Sequence, residues 1–178
     1  LLGFSDDEIA AAASAAEDRG LTGRWLIPLV NTTQQPALAA LQRRDTREKL
    51  FKAAWARNQQ GDNNDTREKL LKLVALRARQ AALLGYEDYA SWSMADQMAK
   101  TPKAAFDFMR EIAPAARARA ESELADIQAL IDSKSASFEA QAWDWLFYSE
   151  QVRRDKYAID EAQIKPWFVL DRVLIDGV

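Results

Sequence analysis

The segment TPKAAFDFMREIAPAARARAESELADIQALI, residues 101–131, decides the fold class. A threonine followed by a proline opens a helix, because proline fits the first turn, where its missing N–H is not needed. Pro114 lies inside the predicted helix and is expected to kink it. Apolar residues recur every three or four positions and form one stripe along this helix: Phe106, Met109, Ala113, Ala116, Ala120, Leu124, Ile127 and Ile131.

The beginning of the chain shows the same helical pattern with one interruption. Ser5 and Glu8 have the capping-box spacing before an alanine-rich helix, and Gly20 follows that helix as a natural stop. The segment Trp25–Val30 is short and apolar and contains Pro28. We therefore expect it to be extended, and at most an edge strand.

A short repeat predicts two further helices. Asp45–Lys52 (DTREKLFK) returns as Asp65–Lys72 (DTREKLLK), which we interpret as convergence on one good helix start, an aspartate cap with glutamate three residues later. A turn at Gly61–Asn64 separates the two, so we expect an αα-hairpin. The second helix, from Thr66 to about Leu84, carries its own apolar stripe of Leu70, Leu73, Val74, Ala78, Ala81 and Leu84.

Three shorter features complete the prediction. Pro36 is expected in the first turn of a brief helix that runs through Leu41, and another short helix is expected over Tyr86–Met98. The serine-rich loop 133–137 is the most linker-like stretch. The chain is therefore predicted to be all-α, a single helical segment over residues 1–178 with no stronger boundary than that loop.

Composition and charge disfavour several classes of function. The 178 residues carry a net charge of −3, so no basic excess exists to bind a phosphate backbone, and nucleic acid is not an expected partner. The apolar stretches fall short of the roughly 20 residues that a membrane span needs, so a membrane is not an expected partner either. The chain has no histidine and no cysteine, which removes the usual zinc ligands, the usual general base and any thiol nucleophile. We therefore assign no catalytic, cofactor-binding or metal-ligating residue, and the lack of cysteine leads us to expect a cytoplasmic location.

The acidic residues fit structural roles. Asp62–Asp65 offers carboxylates and amides that suit calcium, but Arg67 and Leu73 stand where an EF-hand loop needs glycine and a closing glutamate. Adjacent acids such as Asp6–Glu8 and Glu87–Asp88 point in different directions on a helix, and they favour the helix dipole at its start. We interpret these groups as turns and helix caps.

Aromatic residues concentrate near the end of the chain. On a helix, Trp143 and Phe147 would share one face, and Trp145 and Tyr148 would lie on a neighbouring face. Packing in a hydrophobic core explains such a concentration of rings, and so does an interface to a further domain. A platform that stacks sugars or bases is a third, less favoured interpretation. Eight of the chain's 17 aromatic residues lie within 31 residues: Phe138, Trp143, Trp145, Phe147, Tyr148, Tyr157, Trp167 and Phe168.

Several short motifs run over essentially the whole chain in a fixed order. They are RWLIPL at 24–29, NTTQQP at 31–36, LLGY at 83–86, ADQMAKTP at 95–102, FMRE at 108–111 and WDWLFY at 143–148. In this order and spacing, the chain resembles the peptidyl-dipeptidase branch of the thimet oligopeptidase family of zinc metallopeptidases.

The resemblance implies a parent enzyme with two mostly helical lobes and a deep channel between them, which releases dipeptides from the carboxyl end of oligopeptides. Family members hold zinc through H-E-x-x-H and a downstream glutamate, and this chain contains no such motif. We therefore expect a non-catalytic middle part that supplies channel wall and lobe packing, inactive alone, and that meets the catalytic lobe through Trp143–Phe168. A start at Leu1 rather than Met, and no polar tail after Val178, are what we expect of an internal segment.

Two other readings stay open at this point. The chain could be a stand-alone helical interaction module, or part of an oligopeptidase that cuts peptides internally. A metal-free hydrolase is disfavoured, because no nucleophile–base pair is visible. For the isolated chain we expect helical structure with an exposed aromatic surface that binds a hydrophobic dye or self-associates.

Overall fold

A computed structural model describes residues 1–134, 138–158 and 167–176 of the chain. Within these residues it contains eight helices and no strand, which confirms the all-α prediction. The predicted loop 133–137 lies mostly outside the described residues. The helices are α1 (Asp6–Glu17), α2 (Asn31–Ala40), α3 (Arg44–Trp55), α4 (Arg67–Leu83), α5 (Tyr89–Met94), α6 (Pro102–Ser133), α7 (Trp145–Tyr157) and α8 (Leu170–Asp176).

The start of α1 follows the predicted capping box. The backbone N–H of Glu8 donates to Ser5 Oγ at 3.3 Å, and the N–H of Ser5 donates to Glu8 Oε2 at 2.8 Å. After the helix, Gly20 adopts a left-handed φ of 70°, as a helix stop requires. The predicted segment Trp25–Val30 is not helical: residues 25–29 are neither helix nor strand, and Val30 is extended. The N–H of Leu26 donates to the carbonyl of Ala12 at 2.9 Å.

The predicted position of Pro36 at the start of a helix is wrong. Helix α2 begins at Asn31, because Val30 is extended and its carbonyl accepts from the N–H groups of Thr33 and Gln34 at 3.0 and 2.8 Å. Pro36 therefore lies in the second turn, where it leaves the carbonyl of Thr32 without its usual intrahelical donor.

The repeat produces two helices, but they do not form the predicted hairpin. Among the described helices, α4 packs on α5 and α2 packs on α7, while α3 and α4 make no helix–helix contact. The repeated aspartates also differ from the predicted caps. Asp45 lies inside the first turn of α3, whereas Asp65 precedes the cap of α4 and accepts from the N–H of Arg67 at 3.1 Å.

The chain divides into two compact units. Unit 1 comprises Leu1–Lys49 and Leu124–Val178, and unit 2 comprises Leu50–Glu123. Helices α3 and α6 each contribute residues to both units. Whether the chain is one domain stays a prediction, and each unit is described by itself.

Unit 1 contains the hydrophobic core. Ile127 and Ile131 of α6 pack with Tyr148 of α7, and all three side chains are buried. Partly buried apolar residues surround them: Leu130, Phe138, Ala140, Trp145, Phe147 and Val152. The α2 side of this unit buries Ala37, Leu38 and Leu41. Side chains from α6, α7 and the loop before α7 thus form this core.

Unit 2 buries very little. Ala81 of α4 is its single buried residue, and the N–H of Tyr86 donates to the Ala81 carbonyl at 2.9 Å. Helix α5 is shorter than the predicted Tyr86–Met98 helix, since Asp88 caps it by accepting from the N–H of Ser91 at 2.7 Å. Both long helices of this unit therefore leave most of their apolar side chains uncovered.

Candidate interaction surfaces

A buried carboxylate, Asp144, joins two arginines of α3 in unit 1. Its side chain has no exposed surface. Arg44 donates to it through Nε at 3.0 Å and through Nη2 at 2.9 Å, both to Oδ2. Arg47 donates through Nη2 to Oδ1 at 2.9 Å. Because both oxygens are occupied, Asp144 makes no side-chain cap to α7, although it precedes that helix.

Arg47 is itself almost completely buried, with 1% of its surface exposed. Its Nη1 donates to the carbonyls of Leu41 and Gln42 at 2.9 and 3.0 Å, and these residues end α2. Its guanidinium lies over the Phe147 ring at 4.2 Å from the centroid. One side chain thus connects the end of α2, the start of α3 and the first turn of α7.

Arg44 completes the cluster from the partly exposed side. Its guanidinium lies 4.2 Å from the centroid of Phe138 and 5.6 Å from that of Trp143. Two arginines face one carboxylate, so burial is tolerable only because backbone carbonyls and aromatic faces also receive the guanidinium groups. This arrangement fixes helices in place and presents no free base or nucleophile.

Sequence reasoning missed this cluster. In the sequence, Asp144 stands out only as part of the WDWLFY motif, and Arg47 only as part of the eight-residue repeat. The residues that meet are 97 positions apart, so no periodicity links them. One signal is present in the sequence: Asp144 lies in an aromatic segment that is expected to pack in a core, and an acid buried there needs a cationic partner.

The aromatic residues divide between core and surface. Helix α7 begins at Trp145, so Trp143 precedes it and does not share a helix face with Phe147 as predicted. Phe138, Trp145, Phe147 and Tyr148 belong to the core of unit 1. Tyr157, Trp167 and Phe168 are exposed, and they are the described rings of Trp143–Phe168 that are free to meet a further domain.

Unit 2 exposes many apolar side chains on its long helices. On α6 these include Phe106, Phe108, Met109 and Ile112, each at least 48% exposed. On α4 the predicted apolar stripe is equally uncovered apart from Ala81, with Leu70, Leu73, Val74 and Leu84 all exposed. Soluble proteins seldom present contiguous apolar patches of this extent unless something docks there.

Unit 1 also has two open grooves. One, of about 590 Å³, lies between the end of α2 and α7 and is bordered by Lys134, Gln151 and Arg154. The other, of about 350 Å³, lies between α1 and α2 and is lined mainly by alanines, Phe4 and Leu26–Pro28. The carboxylates that border these grooves are already paired: Glu8 accepts from Ser5 in the α1 cap, and Glu150 accepts from Arg153 and Arg154.

Three charged residues of α7, Glu150, Arg153 and Arg154, are paired with one another. Glu150 accepts from Arg153 Nε at 2.8 Å and from Arg154 Nε at 2.9 Å. The hydrogen bond from Arg153, with a smaller contribution from Arg154, holds the pKa of Glu150 below its usual value. This carboxylate is therefore ionised at neutral pH and is not a general acid.

The residues present do not fit a zinc site. The whole chain has no histidine and no cysteine, and the Asp and Glu residues of the described part form no group that could hold a metal ion. Among the described residues, no helix is long and apolar enough to cross a membrane.

The fold is that of an all-α chain with open apolar surfaces, and comparison with known proteins identifies the family. The model of peptidase family M3 matches residues 37–178, so the chain belongs to that family of metallopeptidases. The earlier resemblance to the thimet oligopeptidase family is confirmed.

Individual relatives show how much of a family member this chain represents. It is 61% identical over all 178 residues to the dipeptidyl carboxypeptidase of Escherichia coli, and covers 26% of that protein. It is 57% identical to the dipeptidyl carboxypeptidase of Salmonella typhimurium, again over its whole length and 26% of the relative. Oligopeptidase A of Escherichia coli is 33% identical over 94% of this chain and 25% of its own length. The chain thus spans about a quarter of the curated relatives it matches.

Proposed function

We propose that these residues are a non-catalytic part of a zinc peptidyl-dipeptidase that releases dipeptides from the carboxyl end of oligopeptides. The observation that carries this proposal is the identity over the full chain, 61% to a dipeptidyl carboxypeptidase against 33% to an oligopeptidase A from the same organism. That difference favours the peptidyl-dipeptidase branch over the branch that cuts internally.

Within such an enzyme, this chain would supply channel wall and lobe packing. Its buried Asp144–Arg47 pair is used to hold helices together, and several other acids, such as Asp107 and Glu121, form surface ion pairs. Zinc and its ligands would belong to other residues of the parent, since this chain contains no histidine. No chemical step is assigned to any residue here.

Oligopeptides and the catalytic lobe would be the partners of the parent protein. The exposed Tyr157, Trp167 and Phe168 support a contact with that lobe in the Trp143–Phe168 region. For the parent we also propose a cytoplasmic location, which the lack of cysteine in this chain supports. Cell fractionation of the tagged gene product tests that location, and recovery of the protein in the periplasm would contradict it.

The test of the proposed function starts with the gene. We expect the reading frame to continue past the codon for Val178 and to encode H-E-x-x-H with a downstream glutamate. A stop codon directly after Val178 would instead leave a stand-alone helical interaction module as the function.

The full gene product is then incubated with an oligopeptide and analysed by mass spectrometry. We expect successive loss of carboxyl-terminal dipeptides, abolished by a zinc chelator and restored by zinc. Internal cleavage without dipeptide loss would move the protein to the oligopeptidase branch. The same peptide with an amidated carboxyl end is the matched control, because a peptidyl-dipeptidase acts from a free terminus.

A further inference from the structure

The apolar stripe of α6 has two different environments along one continuous helix. At its carboxyl end, Ile127 and Ile131 are 1% and 0% exposed, packed in the core of unit 1. Towards its amino end, Phe106 and Met109 are 57% and 53% exposed. The spacing of the apolar residues along the sequence does not change between these positions, so the predicted stripe is buried at one end and exposed at the other.

Ion pairs mark the edges of the open part of this stripe. Arg117 pairs with Glu121 at 2.8 Å, and Arg119 pairs with Glu123 at 2.7 Å. At 100° per residue, the two pairs fall on opposite sides of the stripe. A polar boundary on both sides of a continuous apolar face is the pattern of a helix that packs against a partner.

The open face becomes wider towards the beginning of α6. Phe108 and Ile112 add exposed apolar surface on the side next to Met109. At helical spacing, Phe106, Met109, Ile112 and Phe108 then cover roughly half of the circumference. A single partner helix covers a narrower stripe, so this end must meet apolar groups from two sides.

We infer that the α6 face from Phe106 to Ala120 is the docking surface for helical segments of the remaining part of the parent peptidase polypeptide. This inference rests on the proposed function. The covered end of the stripe indicates the kind of partner, because Tyr148 and Val152 of α7 supply large apolar side chains there. The docking segments are therefore helices that carry aromatic and branched residues at a spacing of three and four.

The size of the face argues for the same polypeptide and against a second copy of this chain. From Phe106 to Ala120 the helix rises about 21 Å, and half the circumference of a helix about 10 Å across is about 16 Å, which gives on the order of 300 Å². Stable dimers bury about 800 Å² on each partner. Docking within one polypeptide avoids most of the entropy lost on association, so a small face suffices. The rest of the polypeptide is long enough to supply the docking helices if the parent resembles the dipeptidyl carboxypeptidase of Escherichia coli, of which this chain covers only 26%.

Cysteine protection tests the inference, because the chain has no native cysteine. Met109→Cys places a thiol on the open face, and Ser122→Cys places a matched thiol on the opposite side of the same helix, where Ser122 is exposed. Ala113→Cys repeats the first position with a smaller change in volume. Alkylation rates are read peptide by peptide with mass spectrometry in the full gene product and in the 178-residue chain.

In the full gene product, we expect the thiol at 109 or 113 to react at least about tenfold more slowly than the thiol at 122, because alkylation there requires local opening. In the 178-residue chain, all three should react alike. Equal rates at all positions in the full gene product would overturn the inference. Protection that is already present in the 178-residue chain and grows with concentration would also overturn it, because a second copy would then cover the face.

Dipeptide release, measured on the same samples, separates the inference from the proposed function. If dipeptides are released but the thiol at position 109 is not protected, the docking inference is overturned and the proposed function stands. If the unsubstituted gene product releases no dipeptides, the proposed function is overturned. The docking helices can then no longer be attributed to a peptidase.

Discussion

The two ends of α6 carry the same apolar pattern but differ in what surrounds them. Leu124–Ser133 contributes Ile127 and Ile131 to the core of unit 1, while Pro102–Glu123 leaves Phe106 and Met109 in solvent. The period of the apolar residues thus indicates that one face of a helix will be buried. It does not show which part of the protein packs against that face. The difference shows where this chain supplies its own partner and where it depends on more polypeptide.

The largest change in stability is expected for the Asp144 ion-pair cluster, which positions α7 over the Leu124–Ser133 end of α6. Asp144→Ala leaves the buried guanidinium of Arg47 without its carboxylate, so unit 1 should lose about 3–5 kcal/mol of unfolding free energy. Urea unfolding followed by near-ultraviolet circular dichroism of the core aromatics measures this. Asp45→Ala, which breaks the exposed Arg43–Asp45 pair, is the control, with a much smaller expected change because solvent screens that pair.

A loss under about 1 kcal/mol for Asp144→Ala would show that the cluster does not anchor the core.

A second comparison truncates one residue at each end of the α6 stripe. Ile131→Ala should destabilise unit 1 by about 2–5 kcal/mol, because it opens a cavity in a packed core. Met109→Ala in the 178-residue chain should change stability by no more than about 0.5 kcal/mol, because the side chain is exposed. The same urea titration serves both, and equal losses would abolish the distinction between the two ends.

A smaller effect is expected where α7 and the covered end of α6 meet at the surface. Lys156 Nζ lies 2.5 Å from Asp126 Oδ2, and both side chains are about half exposed. Solvent weakens such a pair, so Lys156→Ala should cost about 0.2–1 kcal/mol and less at high salt. A loss comparable to that of Ile131→Ala would mean that charge, and not apolar packing, holds α7 to α6.

The smallest effect concerns pH. Because the folded-state pKa of Glu150 is lowered, its contribution to stability is present above the unfolded value, near 4.5, and is lost as pH falls through the folded pKa. Glu150→Gln should therefore flatten the dependence of stability on pH below about 4.5 and leave it unchanged near pH 7. Urea titrations of both proteins from pH 3 to 7 measure this, and an unchanged acid slope would contradict it.

Sequence patterns predicted the local parts of this fold well. The capping box at Ser5, the non-helical segment near Leu26 and the long helix that ends in Ile131 all depend on residues within a few turns of one another. Such features follow from backbone sterics and from the period of the apolar residues. The family resemblance was equally accessible, since it depends on motif order.

Tertiary relations were harder to predict. The Asp144–Arg47 pair joins distant segments through charge, and no local rule links them. The αα-hairpin failed because two good helix starts predict two helices, not their packing. Pro36 was misplaced because the extended Val30 starts α2 a turn earlier than the proline preference suggests. In each case, the outcome depends on a backbone conformation or a tertiary contact that the predicted motif does not contain.

Amide hydrogen exchange along α6 tests the central claim most directly. The account predicts that, in the 178-residue chain, backbone amides of Leu124–Ser133 are protected while those before Glu123 exchange rapidly, and that both parts are protected in the full gene product. Uniform protection of α6 in the 178-residue chain, or continued rapid exchange before Glu123 in the full gene product, would contradict it.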